Sequence, residues 1–201
     1  MNSKDIMTKE KEYIIKDFDM PKEIQKRARL FCHQYNTLSP EENDKKRNIL
    51  NSLFGECSSM TFIEPTFYCD YGINIHTHGL CVINFNCVIL DTSPVDIGEN
   101  CFIAPNCVIA CSGHPIDGEE RSQGYLTSKP IHIGKDVWIG ANSTICPGVI
   151  IGDDVVIGAG SVVTKDIPSH VVAFGNPCKV HRKITSSDRL LLKESLMKEK
   201  E

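Results

Sequence analysis

The sequence predicts a mainly β fold, a parallel β-helix wound from hexapeptide repeats beneath an N-terminal α-helical cap, and three observations predict it. Aliphatic residues recur at every sixth position, as Ile97, Ile103 and Ile109 and again as Ile133, Ile139, Ile145, Ile151, Ile157 and Val163. Four places after many of them stands a small or β-branched residue (Cys101, Cys107, Val137, Ser143, Val149, Val155, Ser161), and directly after several stands a glycine (Gly98, Gly134, Gly140, Gly152, Gly158). Between 131 and 165 there is no room for the helical crossovers that an ordinary parallel sheet requires. A period of six cannot follow a helix, whereas short strands joined by tight turns can place each aliphatic on an inner wall. Three units close a triangular coil, and residues about eighteen apart then stack at roughly 4.8 Å, with isoleucines in interior columns and glycines at tight corners.

Residues 1–58 precede the repeat and read as its helical cap. "PKEIQKRARLFCHQYN" has the pattern of one helix. "SPEENDKKRNILNSLFG" has the pattern of a second, with a capping box in Ser39 and Glu42, Pro40 at its first position, apolar Ile49, Leu50, Leu53 and Phe54, and Gly55 as a stop. A stack of coils exposes an apolar end, and such a cap covers it. The coils run over 59–184, because Ile83, Ile89 and Val95 extend the rhythm backward. Residues 185–201, "SSDRLLLKESLMKEKE" at their core, read as a C-terminal helical tail.

Composition bounds the function. With 201 residues, 41% of them hydrophobic and 24% charged, the chain suits one main core. Its net charge of -4 gives no general attraction to nucleic acid or an anionic membrane. No window approaches a membrane span, and the polar start lacks an apolar signal segment, so a cytoplasmic, reducing setting is expected. The ten cysteines, scattered among apolar residues, read mostly as small buried packing groups. His76-x-His78 and Cys111-x-x-His114 are too sparse for a structural zinc site, and no metal is expected.

The count of six breaks once, between Ile109 and Ile133, where "ACSGHPIDGEERSQGYLTSKPIH" must leave the prism as a projecting loop over 111–131. Loops of that length inside a tight repeat are commonly functional. His114 lies at its base, where a rigid coil can position it, and Pro115 restricts the backbone beside it.

The combination of "CDYG" (69–72), "NFNCVILD" (84–91), "IGENCFIAPNCVI" (97–109), "GHPID" (113–117), "KPIHIGKDVWIGA" (129–141), "CPGVIIG" (146–152), "GAGSVVTKDIP" (158–168) and "GNPCKV" (175–180) resembles the maltose and galactoside O-acetyltransferase family, including the nodulation-type acetyltransferases. The resemblance covers most of the chain from about residue 20. It implies left-handed β-helices assembled as homotrimers, with acetyl-CoA as co-substrate between neighbouring prisms and a small-molecule sugar as acceptor. It also implies direct acetyl transfer with His114 as general base, a role that suits a near-neutral imidazole, and the backbone N–H of Ala141 as oxyanion donor.

The same resemblance implies acceptor binding by Asn84 and Asp70, with Asp91 beside a further acceptor position that is Thr92 here, and with Asp17 as a looser match. A corner asparagine in left-handed geometry is the structural alternative for Asn84. For coenzyme A it implies backbone at Ala141 and Ala159, then Thr164 and Lys165, with Lys179 and Arg182 near the nucleotide phosphates. Trp138 reads equally as interface packing or as a ligand wall. Three rivals stand beside this reading: acylation of Cys111 with His114 as its base, a non-catalytic hexapeptide scaffold, and a zinc-dependent carbonic anhydrase-like enzyme, which needs three histidine ligands.

Overall fold

The computed structural model describes residues 3–190. Of the helical tail expected over 185–201, residues 191–201 lie outside the described residues, and Ser186–Asp188 form a single 3-10 turn.

A left-handed parallel β-helix of about six turns forms the body. Its first face stacks Glu56–Cys57, Ile75–Thr77, Val95–Ile97, Ile131–Ile133 and Ile150–Ile151 in parallel. The second stacks Thr61–Ile63, Cys81–Ile83, Cys101–Ile103, Trp138–Ile139, Val155–Ile157 and Val171–Phe174. The third stacks Phe67–Cys69, Cys87–Leu90, Val108–Ala110, Thr144–Ile145 and Val162–Val163. Within a three-residue strand the side chains alternate inward and outward, so Ile83, Ile97, Ile103, Ile109, Ile139 and Ile157 are buried in columns.

Coil length is not uniform. Ile103 pairs with Ile83 twenty residues earlier and Ile157 with Ile139 eighteen earlier. From the first face to the second and from the second to the third the inward residues advance by six throughout. From the third face to the first they advance by eight between Cys69 and Thr77 and between Ile89 and Ile97, by twenty-four between Ile109 and Ile133, and by six again between Ile145 and Ile151. One edge of the prism therefore takes up every extra residue.

The glycines that follow the inward isoleucines do not supply positive φ. Many left-handed corners are taken by Asn86, Asn100, Asn106, Asp136, Asn142 and Asp154, residue types whose short polar side chains tolerate that geometry, with Gly148, Gly160 and His170 also at positive φ. Gly98, Gly134 and Gly152 stack on one another instead. A Cβ on Gly98 would lie 2.7 Å from the carbonyl carbon of Gly134, and one on Gly134 would lie 2.7 Å from that of Gly152 and 2.5 Å from Asp153 Oδ1. Close approach of coils, rather than tight turning, excludes a side chain there.

Helices Lys22–Thr37 and Asn43–Leu53 close one end of the prism. Ala28, Cys32, Tyr35, Leu50, Leu53 and Phe54 join the same core cluster as Ile63 and Phe67 of the first coil; full burial of a large apolar side chain is worth about 1.5–3 kcal/mol. Phe54 meets Phe67 edge to face at 5.8 Å, and Asn36 satisfies both backbone groups of Phe67 at 2.8 and 2.9 Å. The second helix begins at Asn43, later than Pro40. Glu42 accepts from the Ser39 N–H at 3.0 Å, while Ser39 Oγ accepts from Glu41 at 3.4 Å. The box thus closes as a turn that leads into the helix.

The segment between Ile109 and Ile133 carries more structure than an open loop. Tyr125–Ser128 pairs antiparallel with Ser112–Gly113 on one side and with Tyr13–Lys16 of the N-terminal arm on the other. Pairing satisfies backbone groups that an open loop would leave to water. Leu126 turns inward to join Met7, Tyr13, Met20 and Tyr71 in a second, small core. Gly118–Ser122 forms one helical turn whose first N–H groups are capped by Asp117.

Candidate active site

The widened edge between the third and first faces gathers most of the polar residues singled out in the sequence. Successive coils place there the turn holding Asp70, the turn holding Asp91 and Thr92, and the excursion holding His114. His114 follows the strand Ser112–Gly113 and is exposed. Its Nδ1 lies 3.4 Å from the carbonyl oxygen of Tyr125, on the neighbouring strand. A carbonyl can only accept, so in this contact Nδ1 is the donor, and a neutral ring then carries its lone pair on Nε2. Beside it Ile14, Pro115, Glu120, Tyr125 and Thr127 line a cleft of about 220 Å³.

Under the histidine the backbone is fixed by a buried hydroxyl cluster. Ser128 Oγ lies 2.6 Å from Thr92 Oγ1 and 2.7 Å from Ser93 Oγ, and the Tyr13 hydroxyl donates to the Thr92 carbonyl. Tyr125, Ser128 and Tyr13 were not singled out in the sequence. Their signal is the alternation in "YLTS" and "YIIK", two short strand patterns that pair.

Asp91 has no exposed surface. Its carboxylate accepts from the N–H groups of Tyr71 at 2.8 Å and Asn74 at 3.3 Å, and its carbonyl accepts from Asn74 Nδ2 at 2.8 Å. Burial pushes its carboxyl up to about 7, against the pull of those N–H donors. In the structure it meets backbone and Asn74, and orders the turn from Asp70 to Asn74. Asp70 is half-buried on that turn, and desolvation raises its carboxyl while the charge of Arg29 opposes the shift. Asp17 begins a 3-10 turn directly after the N-terminal strand; its carboxylate pairs with Lys22 at 2.7 Å and its N–H donates to Gly124.

Of the remaining residues, Thr164 and Lys165 return to this edge in a later coil, just after Val163 and before Ile167, and the others lie elsewhere. Asn84, Ala141 and Ala159 follow the inward residues Ile83, Ile139 and Ile157 and so sit on the edge between the second and third faces. Asn84 does not have the left-handed backbone that the corner alternative supposes; Asn86 has it. The Asn84 Oδ1 accepts from Phe85 N–H at 2.8 Å. Among the described residues no backbone acceptor is recorded for the N–H groups of Ala141 and Ala159. Thr164 and Lys165 are exposed just after the inward Val163.

Lys179 and Arg182 are exposed on the strand Lys179–Lys183, which pairs antiparallel with Val171–Phe174. The Arg182 fork is engaged by Asp188, with Nη1–Oδ2 and Nη2–Oδ1 both 2.8 Å, a pairing that holds Asp188 down at about 2. Trp138 is 55% exposed on the second face between Phe102 and Val156. The ten thiols are free and eight are buried. Cys111 has no exposed surface, and burial pushes its thiol far above the usual range, which denies His114 a thiolate partner.

Two family descriptions match the chain: "Bacterial transferase hexapeptide (six repeats)" over residues 130–165, and "Maltose acetyltransferase hexapeptide capping motif" over residues 21–58. A galactoside O-acetyltransferase of Escherichia coli is 44% identical over 163 residues, covering 81% of this chain and 80% of that one. The solved structure of a maltose O-acetyltransferase from Clostridium difficile superposes with a TM-score of 0.87 at 40% identity, covering 92% of this chain and 99% of the other. A galactoside acetyltransferase in complex with coenzyme A gives 0.84 at 41% identity, with 87% and 88% covered.

Proposed function

The chain belongs to the maltose and galactoside O-acetyltransferase family, and from that premise we propose that it moves the acetyl group of acetyl-CoA to a hydroxyl of a sugar of the maltose, glucose or galactoside kind. The observation that carries the reading is His114, held through Nδ1 to the Tyr125 carbonyl and next to Pro115, which with Tyr125 lines the adjoining cleft.

His114 Nε2 takes the proton of the acceptor hydroxyl as its oxygen attacks the thioester carbonyl, then returns it to the departing coenzyme A sulfur. The Ala141 N–H faces the carbonyl oxygen on which charge collects, and its lack of a partner among the described residues suits that task. Asp70, Asn84 and Asp17 orient the sugar, and Asp91 serves by holding the Asp70 turn. The backbone at Ala141 and Ala159, with Thr164 and Lys165, lines the pantetheine path. Lys179 and Arg182 receive the nucleotide phosphates.

His114 and Ala141 occupy the two opposite edges of the third face, so one prism carries two half-sites. A homotrimer that sets the His114 edge of one copy against the Ala141 edge of the next completes each site. The outward third-face side chains Tyr68, Val88, Val108 and Val162 supply apolar surface for that contact. Trp138 and Phe102 supply more on the second face. Among the described residues no helix is long and apolar enough to cross a membrane, and ten free thiols suit the reducing cytoplasm.

The test is a panel of sugar acceptors with acetyl-CoA, following thiol release in wild type and His114→Ala. Turnover of one or more sugars, lost in the variant while coenzyme A affinity is kept, is expected; equal turnover in both overturns the base, and no turnover of any acceptor favours the scaffold reading.

A further inference from the structure

On the first face the outward side chains of successive coils form one column, because Glu56 pairs with His76, His76 with Asp96, and Asp96 with His132. Strands about 4.8 Å apart bring such side chains into contact. Asp96 therefore has an imidazole on each side: His76 Nδ1 is 3.4 Å from Oδ1 and His132 Nδ1 is 3.6 Å from Oδ2. His78 Nε2 also reaches Oδ1 at 3.5 Å, and its other nitrogen lies 3.4 Å from Glu56. From the N-terminal arm, Glu10 Oε2 comes to 3.0 Å from His132 Nε2.

One ligand atom each from Glu10, Asp96 and His132 can be chosen so that all lie within 4.8 Å of one another. Tetrahedral zinc, with bonds of about 2.1 Å, needs ligand atoms about 3.4 Å apart. The required contraction is within reach of partly exposed side chains, one of them on an arm. Mixed imidazole and carboxylate donors suit zinc and its first-row neighbours rather than magnesium or calcium. The charge agrees, because Glu10, Glu56 and Asp96 put three carboxylates beside three imidazoles, and the adjacent Lys129 is engaged by Glu12 at 3.1 Å.

We propose that Glu10, Asp96 and His132, with His76 on the second carboxylate oxygen, bind a divalent transition metal ion, zinc foremost, that pins the N-terminal arm to the first face of the prism. The site is separate from His114 and takes no part in acetyl transfer. Its consequence is mechanical, because Glu10 stands three residues before Tyr13–Lys16, the strand that braces Tyr125–Ser128.

The experiment is calorimetric titration of the metal-free full chain with zinc chloride, with thermal unfolding followed in zinc and again after chelator. Saturable binding of one equivalent per chain and a chelator-reversible rise in Tm of several degrees are expected. Glu10→Gln and His132→Gln should each weaken binding roughly tenfold or more, while His33→Gln on the cap leaves it unchanged. Glu10 is exposed on a turn, so its variant tests the site without risking the fold. Cobalt(II) substituted for zinc should show no thiolate-to-metal charge transfer, which separates this site from the ten cysteines. Absence of saturable binding, binding unchanged in both variants, or sulfur ligation overturns the proposal.

Discussion

His114 Nδ1 and the carbonyl oxygen of Tyr125 face each other at 3.4 Å, a contact between the strand leaving the prism and the strand returning to it. The proposed base is thus oriented by a backbone carbonyl rather than by a carboxylate. Replacing His114 by Ala or Gln should lower kcat by about 10²–10⁴, with the Kd for coenzyme A unchanged by calorimetry. Cys111→Ala, which removes a buried thiol, should keep kcat within a few-fold, and trapping with labelled acetyl-CoA should give no acetylated cysteine.

Gly134→Ala should destabilise the prism by about 1–3 kcal/mol, because the new Cβ meets backbone that cannot yield. Gly118→Ala is the control: its nearest neighbour would be an arginine nitrogen at 3.8 Å. Thermal unfolding should show a fall of several degrees for the first and little change for the second.

Asp91 gives stability a sign against pH. Its carboxyl is raised to about 7 in the folded protein by burial, so between the unfolded value near 4 and pH 7 the native state binds more protons than the unfolded one. Its contribution therefore falls as pH rises through that window, by roughly 4 kcal/mol in the limit. Denaturant unfolding from pH 4 to 8 should show this decline in wild type and lose that component in Asp91→Asn.

Arg182 must release Asp188 to take a phosphate. Asp188→Asn should tighten coenzyme A binding several-fold by freeing the guanidinium fork, and Arg182→Gln should weaken it about tenfold, the ordinary scale of a lost charge-assisted pair. Equal affinity in both variants would remove Arg182 from the site.

The columns of the prism were legible because Ile97, Ile103 and Ile109 repeat with a period that only one architecture uses, and the family was legible from runs such as "KPIHIGKDVWIGA". The role of the glycines was not, because Gly98 and Gly134 are excluded from bearing a side chain by neighbours thirty-six and eighteen residues away. The strand Tyr125–Ser128 escaped notice because its partner Tyr13–Lys16 lies more than a hundred residues upstream. Asp91 read as neighbouring an acceptor position at Thr92, and three-dimensional packing turns its carboxylate to the Tyr71 and Asn74 N–H groups. The column of His76, Asp96 and His132 could have been found by counting twenty and thirty-six, the spacing that the excursion hides.

Every surplus residue is taken up at the edge between the third and first faces, while the other two edges hold their step of six. That edge works as an expansion joint. Splicing chain in or out there would enlarge or shrink the chamber beside His114 without disturbing one isoleucine of the bearing walls, so acceptor choice can drift independently of foldability.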